Sequence, residues 1–73
     1  LDLGQYERAI QDLDQAIRLN PLLVLAYADR ALAHTLVGRD AEAEKDIDKA
    51  VALGFDRALL EKEVEREKQL RQR

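Results

Sequence analysis

From Gln5 to Leu19 the apolar residues fall at Tyr6, Ala9, Ile10, Leu13, Ala16 and Ile17, with Leu19 beyond them. Steps of three, one, three, three and one follow one face of a 3.6-residue helix, so the spacing predicts a helix over 5–19. Asn20-Pro21 ends it, because a residue before proline is pushed out of helical backbone. The stretch from about 22 to 37 is apolar nearly all round, with Asp29, Arg30, His34 and Thr35 as its polar members. A helix without a broad polar face is buried on two sides. Gly38 stops it. A third helix is expected from about Asp40 to Leu53, with Ala43, Ile47, Ala50 and Val51 inward. Gly54-Phe55-Asp56 is the next break, with Gly54 closing one helix and Asp56 capping a fourth. That fourth helix starts near Arg57 and fades toward Arg73. Gly4 reads as the glycine that closes a preceding helix. Such short connections make consecutive helices antiparallel neighbours.

The pattern also repeats. Residues 12–19, Asp-Leu-Asp-Gln-Ala-Ile-Arg-Leu, match residues 46–53, Asp-Ile-Asp-Lys-Ala-Val-Ala-Leu, at an offset of 34 residues. The same offset carries Gly4 onto Gly38, Ala9 onto Ala43 and Ala16 onto Ala50. Self-similarity at a fixed period on this scale marks a stacked repeat, in which each unit buries its apolar face against a neighbour.

Composition narrows the core. The chain has 73 residues, 47% of them hydrophobic but only 4% aromatic, so the core must be built from Leu, Ala, Ile and Val. With 37% charged residues this is the balance of a helical protein. A single small domain of this size buries only about 60% of its unfolded surface. The net charge of −3 lacks the basic excess of a nucleic-acid binder. Cysteine is absent, which removes disulfides and thiolate metal sites. The longest apolar run, Leu22 to Ala28, is far short of the ~20 residues that span a bilayer. The chain opens on Leu1-Asp2-Leu3-Gly4 and reads as a piece cut from a longer polypeptide, so targeting is not legible. A soluble, cytoplasmic setting is the expectation.

Gly4-Gln5-Tyr6, Ala9, Leu13, Ala16 and Pro21 resemble the second half of a tetratricopeptide (TPR) repeat. Tyr27, Ala31, Gly38, Ala43, Ile47 and Ala50 look like the next, complete repeat. Ala26-Tyr27-Ala28-Asp29-Arg30-Ala31 is similar to the first-helix opening common in bacterial members. The resemblance covers residues 1 to about 55, and the last helix resembles the family's C-terminal capping helix. It implies a single all-α domain of antiparallel helix hairpins, stacked as a short right-handed α-solenoid. Residues 1–21 would be half a repeat, 22–55 a complete repeat and 56–73 the capping helix. Small residues such as Ala9, Ala31 and Ala43 let paired helices approach, while Tyr27 and Ile47 fill the space between pairs. There are departures. His34 stands where the family often has Tyr, and Asp40 and Phe55 replace the Tyr and Pro seen at Tyr6 and Pro21. The boundary at Gly54-Phe55 therefore does not invite another repeat. In the 34-residue register Leu60 and Val64 fall inward, but Glu65 and Lys68 take the next inward positions. A polar outer half is what the end of a solenoid needs, so the natural C-terminal end of the stack is expected here.

One His, one Thr and no Ser or Cys leave almost no nucleophilic chemistry, so neither an enzyme nor a cofactor is expected. His34 reads as a packing residue, with a titrating role as the alternative. The register stacks Asp12 near Asp46 and Asp14 near Asp48, on a solvated convex face with local partners in Arg8, Arg18, Lys45 and Lys49. A metal site needs converging oxygens, which this spacing does not supply. Along the last helix Glu67–Arg71, Glu63–Arg66 and Glu65–Lys68 sit at pairing distance. Lys68, Arg71 and Arg73 are free for an acidic surface, but without aromatic partners they do not indicate nucleic acid.

The resemblance also implies a concave binding face on the first helices. Its positions here are Leu25, Ala28, Asp29, Leu32, Thr35 and Leu36, an apolar strip with one acid. Family members that grip a C-terminal carboxylate use Asn and Lys or Arg on this face. Asp29 stands where the Asn would be, and no Lys is present on that helix, so no carboxylate clamp is expected. Such a strip suits an amphipathic helix or apolar segment of another protein. The competing outcome is that the last helix, through Leu59 and Leu70, or an absent neighbour covers it. Ala9, Leu13 and Ala16 form a second apolar face, expected to be open and therefore to self-associate. The leading expectation is a non-catalytic protein-interaction module binding another protein or peptide, with no nucleic acid, membrane, metal or cofactor. The alternatives are a self-assembling structural segment, hence a homo-oligomer, or a regulatory appendage of an enzyme lying before Leu1.

Overall fold

The apolar stripe of residues 6–17 lies on one helix, α1 (Leu3–Leu19), in a computed structural model that describes residues 2–72. Three more helices follow: α2 (Val24–Leu36), α3 (Asp40–Ala52) and α4 (Arg57–Arg71). No strand occurs among the described residues. Leu1 and Arg73, named in the expectations above, lie outside them.

The helix ends have local causes. Asp2 caps α1, its carboxylate accepting from the amides of Gly4 at 3.1 Å and Gln5 at 3.4 Å. Gly4 therefore does not close a preceding helix; it sits in the first turn of α1, without positive φ. An acceptor two residues upstream satisfies its N–H, and a glycine in a first turn costs little. After α1, the Asn20 amide donates to Ala16 O at 2.9 Å, while its side-chain oxygen accepts from the Leu22 amide at 3.1 Å. That side-chain turn holds Leu22 and Leu23 out of the helix, so α2 begins two residues later than the apolar run suggests. The Tyr27 hydroxyl donates to Pro21 O at 2.9 Å and locks the turn to α2.

Gly38 and Gly54 carry the left-handed backbone that closes α2 and α3, with φ of 84° and 114°. Each ends in a paired hydrogen-bond motif. The Gly38 amide donates to Thr35 O and the Arg39 amide to His34 O; the Gly54 amide donates to Val51 O and the Phe55 amide to Ala50 O. Asp56 then caps α4 by accepting from the Leu59 amide at 3.1 Å.

Ion pairs read out the directions of the helices. Glu7 meets Arg39 and Asp14 meets Arg30, so α1 and α2 run antiparallel. Arg30 meets Asp46, and the Lys49 ammonium lies over the Tyr27 ring, so α2 and α3 are antiparallel too. Near its start α4 packs Leu60 into the cluster that contains Tyr27, and near its end Arg71 reaches Thr35 O, so it runs parallel to α2. The arrangement is the all-α, TPR-like set of helix hairpins that the sequence implies. Helix α2 packs against all three others, α3 also touches α4, and α1 packs on α2 alone among the described elements. The two-sided burial expected of α2 is thus realised, with eight of its residues buried.

The core joins Tyr27, Ala28 and Ala31 of α2, Ile47 and Ala50 of α3, and Leu60 and Val64 of α4. Ala31 and Ala50 have no exposed surface, which is how α2 and α3 come close. Ala43 is buried as expected, and Val51 is half-buried against the same cluster. Phe55 packs on its edge.

Candidate functional site

With α2 at the centre, α1 and α4 flank one of its faces. Tyr6, Ala9, Asp12 and Leu13 come from α1, spaced by the helical period. Asp29, Leu32, Ala33 and Leu36 come from α2 at the same period, and Glu67 enters from α4. Together they line a groove of about 570 Å³. At Leu36 it adjoins a second hollow of about 740 Å³, bounded by Leu3, Val37, Gly38, Leu70, Arg71 and Gln72. Depressions of this size accept side chains of a partner.

The expected strip on α2 divides between groove and core. Asp29, Leu32 and Leu36 line the groove. Ala28 belongs to the core cluster instead. Thr35 has no exposed surface, its hydroxyl donating to Ala31 O at 2.9 Å. A helix packed on three sides cannot present so wide a face, and these two residues point toward its other neighbours. Leu25 lies 66% exposed at the start of α2, outside the lining. Leu59 and Leu70 do not cover the strip; both stay exposed, Leu70 on the rim of the second hollow. Ala9 and Leu13, expected at a self-association face, line the same groove, whereas Ala16 is half-buried beside it. Packing of α1 on α2 merges the two expected faces into one hollow.

Four lining residues were not among those expected: Tyr6, Asp12, Ala33 and Glu67. Asp12 does not stack with Asp46 on a convex face. It borders the apolar stripe three residues beyond Ala9, and that adjacency was the available signal. Asp14 and Asp46 are the carboxylates brought together, by Arg30. Arg30 Nη1 donates to Asp14 Oδ1 at 2.8 Å, while Nε and Nη2 hold Asp46 at 2.8 and 2.7 Å. None of the expected partners Arg8, Arg18, Lys45 and Lys49 forms an ion pair with these aspartates among the described residues; Arg30, facing both from α2, holds Asp46 with two parallel bonds. Donation to the Asp46 carboxylate raises the Arg30 pKa above its ordinary value. Arg30 also lies over the Tyr27 ring, 5.7 Å from its centre. Asp48 pairs with Arg57 at 3.1 Å. His34 is buried, Nε2 3.7 Å from Asp46 and Nδ1 without a hydrogen-bond partner among the described residues. No three His, Cys, Asp or Glu side chains converge as a metal site among the described residues.

The α4 wall is held by Arg71. It does not pair with Glu67 one turn away. Its Nη1 donates to Thr35 O at 2.8 Å and to Asp40, and its Nη2 to Asp40 Oδ2 at 2.9 Å. This cation is therefore spent inside the fold, and Asp40, where the family often has Tyr, supplies its anchor. The hydrogen bond from Arg71 holds the Asp40 carboxyl below the usual carboxylate range. A depressed folded-state pKa stabilises above the unfolded value of about 4 and is lost as pH falls through the folded value. Acidification below about pH 4 should thus loosen the end of α4, seen as lower protection of amides 66–70 relative to their intrinsic exchange rates at each pH. Arg71→Met should remove that pH dependence; its persistence would place the titrating group elsewhere.

No helix among the described residues is long and apolar enough to cross a membrane. No curated protein and no solved structure gives a match to the chain. A family model described as TPR repeat matches residues 1–38, the stretch that holds α1, α2 and almost all of the groove lining. With more than half of its length matched and its helices paired as hairpins, the chain belongs to the tetratricopeptide repeat family.

Proposed function

We propose that the chain is a non-catalytic binding module that takes an apolar segment or amphipathic helix of another protein into the groove over α2. The observation that carries this reading is the lining itself. Ala9, Leu13, Leu32, Ala33 and Leu36 gather on one side of α1 and α2, while the Arg30 ion pairs occupy another. TPR membership supports it, since repeats of this kind serve protein–protein interaction. Within the reading, residues 1–21 act as half a repeat, 22–55 as a full one and 56–73 as the cap that walls the groove.

The test is a displayed library of helical peptides selected on the intact chain. Selected binders should lose at least about tenfold in affinity toward Leu13→Glu and Leu32→Glu, because a carboxylate on an apolar floor is desolvated without a partner. Leu25→Glu should matter less, and Asp48→Ala not at all. Circular dichroism melts check that each variant remains folded. Binders that ignore both groove variants and respond to Asp48→Ala would move the site to the other face.

A further inference from the structure

Carboxylates stand around this groove on all three helices that form it: Asp12 on α1, Asp29 on α2 and Glu67 on α4. No Lys or Arg is part of the lining. Elsewhere six acids are held in ion pairs, Glu7 by Arg39, Asp14 and Asp46 by Arg30, Asp40 by Arg71, and Asp48 and Glu61 by Arg57, while others such as Glu42, Glu44 and Glu65 stand on the open surface without one among the described residues. None of the three groove carboxylates enters an ion pair among the described residues. Charges of one sign beside low-dielectric walls focus their field into the opening and draw in the opposite sign.

We infer that the occupant of the groove is a basic amphipathic helix, with leucine-like side chains set on Leu13, Leu32 and Leu36 and Lys or Arg set against Asp12, Asp29 and Glu67. The inference rests on the groove reading above and adds the chemistry of the partner. Helix-in-groove recognition needs apolar anchors at the helical period, and the floor offers them at Leu32 and Leu36. The surrounding carboxylates then decide which amphipathic helix enters, since like charges on the partner are repelled. An acidic helix is rejected on that ground. A second copy of this chain is disfavoured for the same reason, because it carries a net charge of −3.

The experiment uses three synthetic helical peptides, each about 14 residues or four turns long. They share one leucine stripe and differ only in Lys, Gln or Glu on the flanks. Binding to the intact chain is followed by fluorescence anisotropy. The Lys peptide should bind roughly tenfold or more tighter than the Glu peptide, with Gln between, and about 0.5 M salt should compress the ranking. The triple variant Asp12→Asn, Asp29→Asn, Glu67→Gln should abolish the ranking while keeping the melting temperature. Equal binding of all three peptides, lost in Leu32→Glu, would overturn the basic partner and leave the groove standing. A ranking that survives the triple variant would overturn it likewise. Failure of every peptide to bind, or binding indifferent to both Leu13→Glu and Leu32→Glu, would bring down the groove reading as well. Sedimentation of the chain alone covers the remaining occupant: a dimer broken by Leu32→Glu but not displaced by the Lys peptide would assign the groove to a second copy.

Discussion

Arg30→Met should destabilise the domain by about 3–4 kcal/mol, the lower part of the range for breaking a buried ion pair. Asp46 is only 4% exposed, and Arg30 supplies both of its short bonds. Removing the guanidinium leaves the carboxylate buried, with only the His34 ring 3.7 Å away. The estimate stays low in the range because Arg30 keeps a fifth of its side-chain surface in water. For a domain of this size the melting temperature should fall by about 12–30 °C. Arg30→Met combined with Asp46→Leu should recover most of the loss, since the orphaned charge is gone. Asp14→Ala should cost no more than about 1 kcal/mol, because that end of the clamp faces solvent. Equal losses at Asp14 and Asp46 would shift the weight of the clamp to its exposed side.

Ile47→Ala should cost about 2–5 kcal/mol through the cavity it leaves. Ile47 is 1% exposed and sits in the cluster where α2, α3 and α4 meet, so no single helix can move to fill the void. Ala43→Leu should cost about 1–3 kcal/mol by forcing a longer side chain into a fully packed site. Deleting residues 66–73 should do less than Ile47→Ala. It removes the Arg71 anchor and the Glu67 edge of the groove, but the buried residues of α4, Leu60 and Val64, remain. Thermal melts of the three variants give the order. If the deletion were the worst, the outer half of α4 would be part of the core rather than a cap.

Helices and core were legible because both follow from periodicity within one segment. Ile47, Leu60 and Val64 sit where the 3.6-residue spacing and the 34-residue register put them. Boundaries were less so where a side chain competes for backbone groups: Asp2 draws Gly4 into α1, and Asn20 delays α2. A third of the candidate lining, Asp29, Leu32 and Leu36, could be read from α2, and Ala9 and Leu13 from the apolar stripe of α1. The rest depends on which faces of separate helices meet. Asp12 and Glu67 reach the groove only through the placement of α1 and α4 around α2, which no local pattern encodes. Arg30 illustrates the same limit. Its partners lie 16 residues to either side, a separation that becomes a contact only once both hairpins have closed.

The two walls of the groove are tied down differently. Among the described elements α1 packs on α2 alone, whereas α4 is shared between α2 and α3 and bolted at its end by Arg71. An open state in which α1 lifted away would lose one helix interface, with the Glu7–Arg39 and Asp14–Arg30 pairs, and leave the other three intact. Local opening of that kind lies below global unfolding in free energy. The Asn20–Leu23 turn, tied by the Tyr27 hydroxyl to Pro21 O, still joins the two walls through α2. A bound helix that bridged them would hold α1 down, converting part of its affinity into order at the far end of the chain.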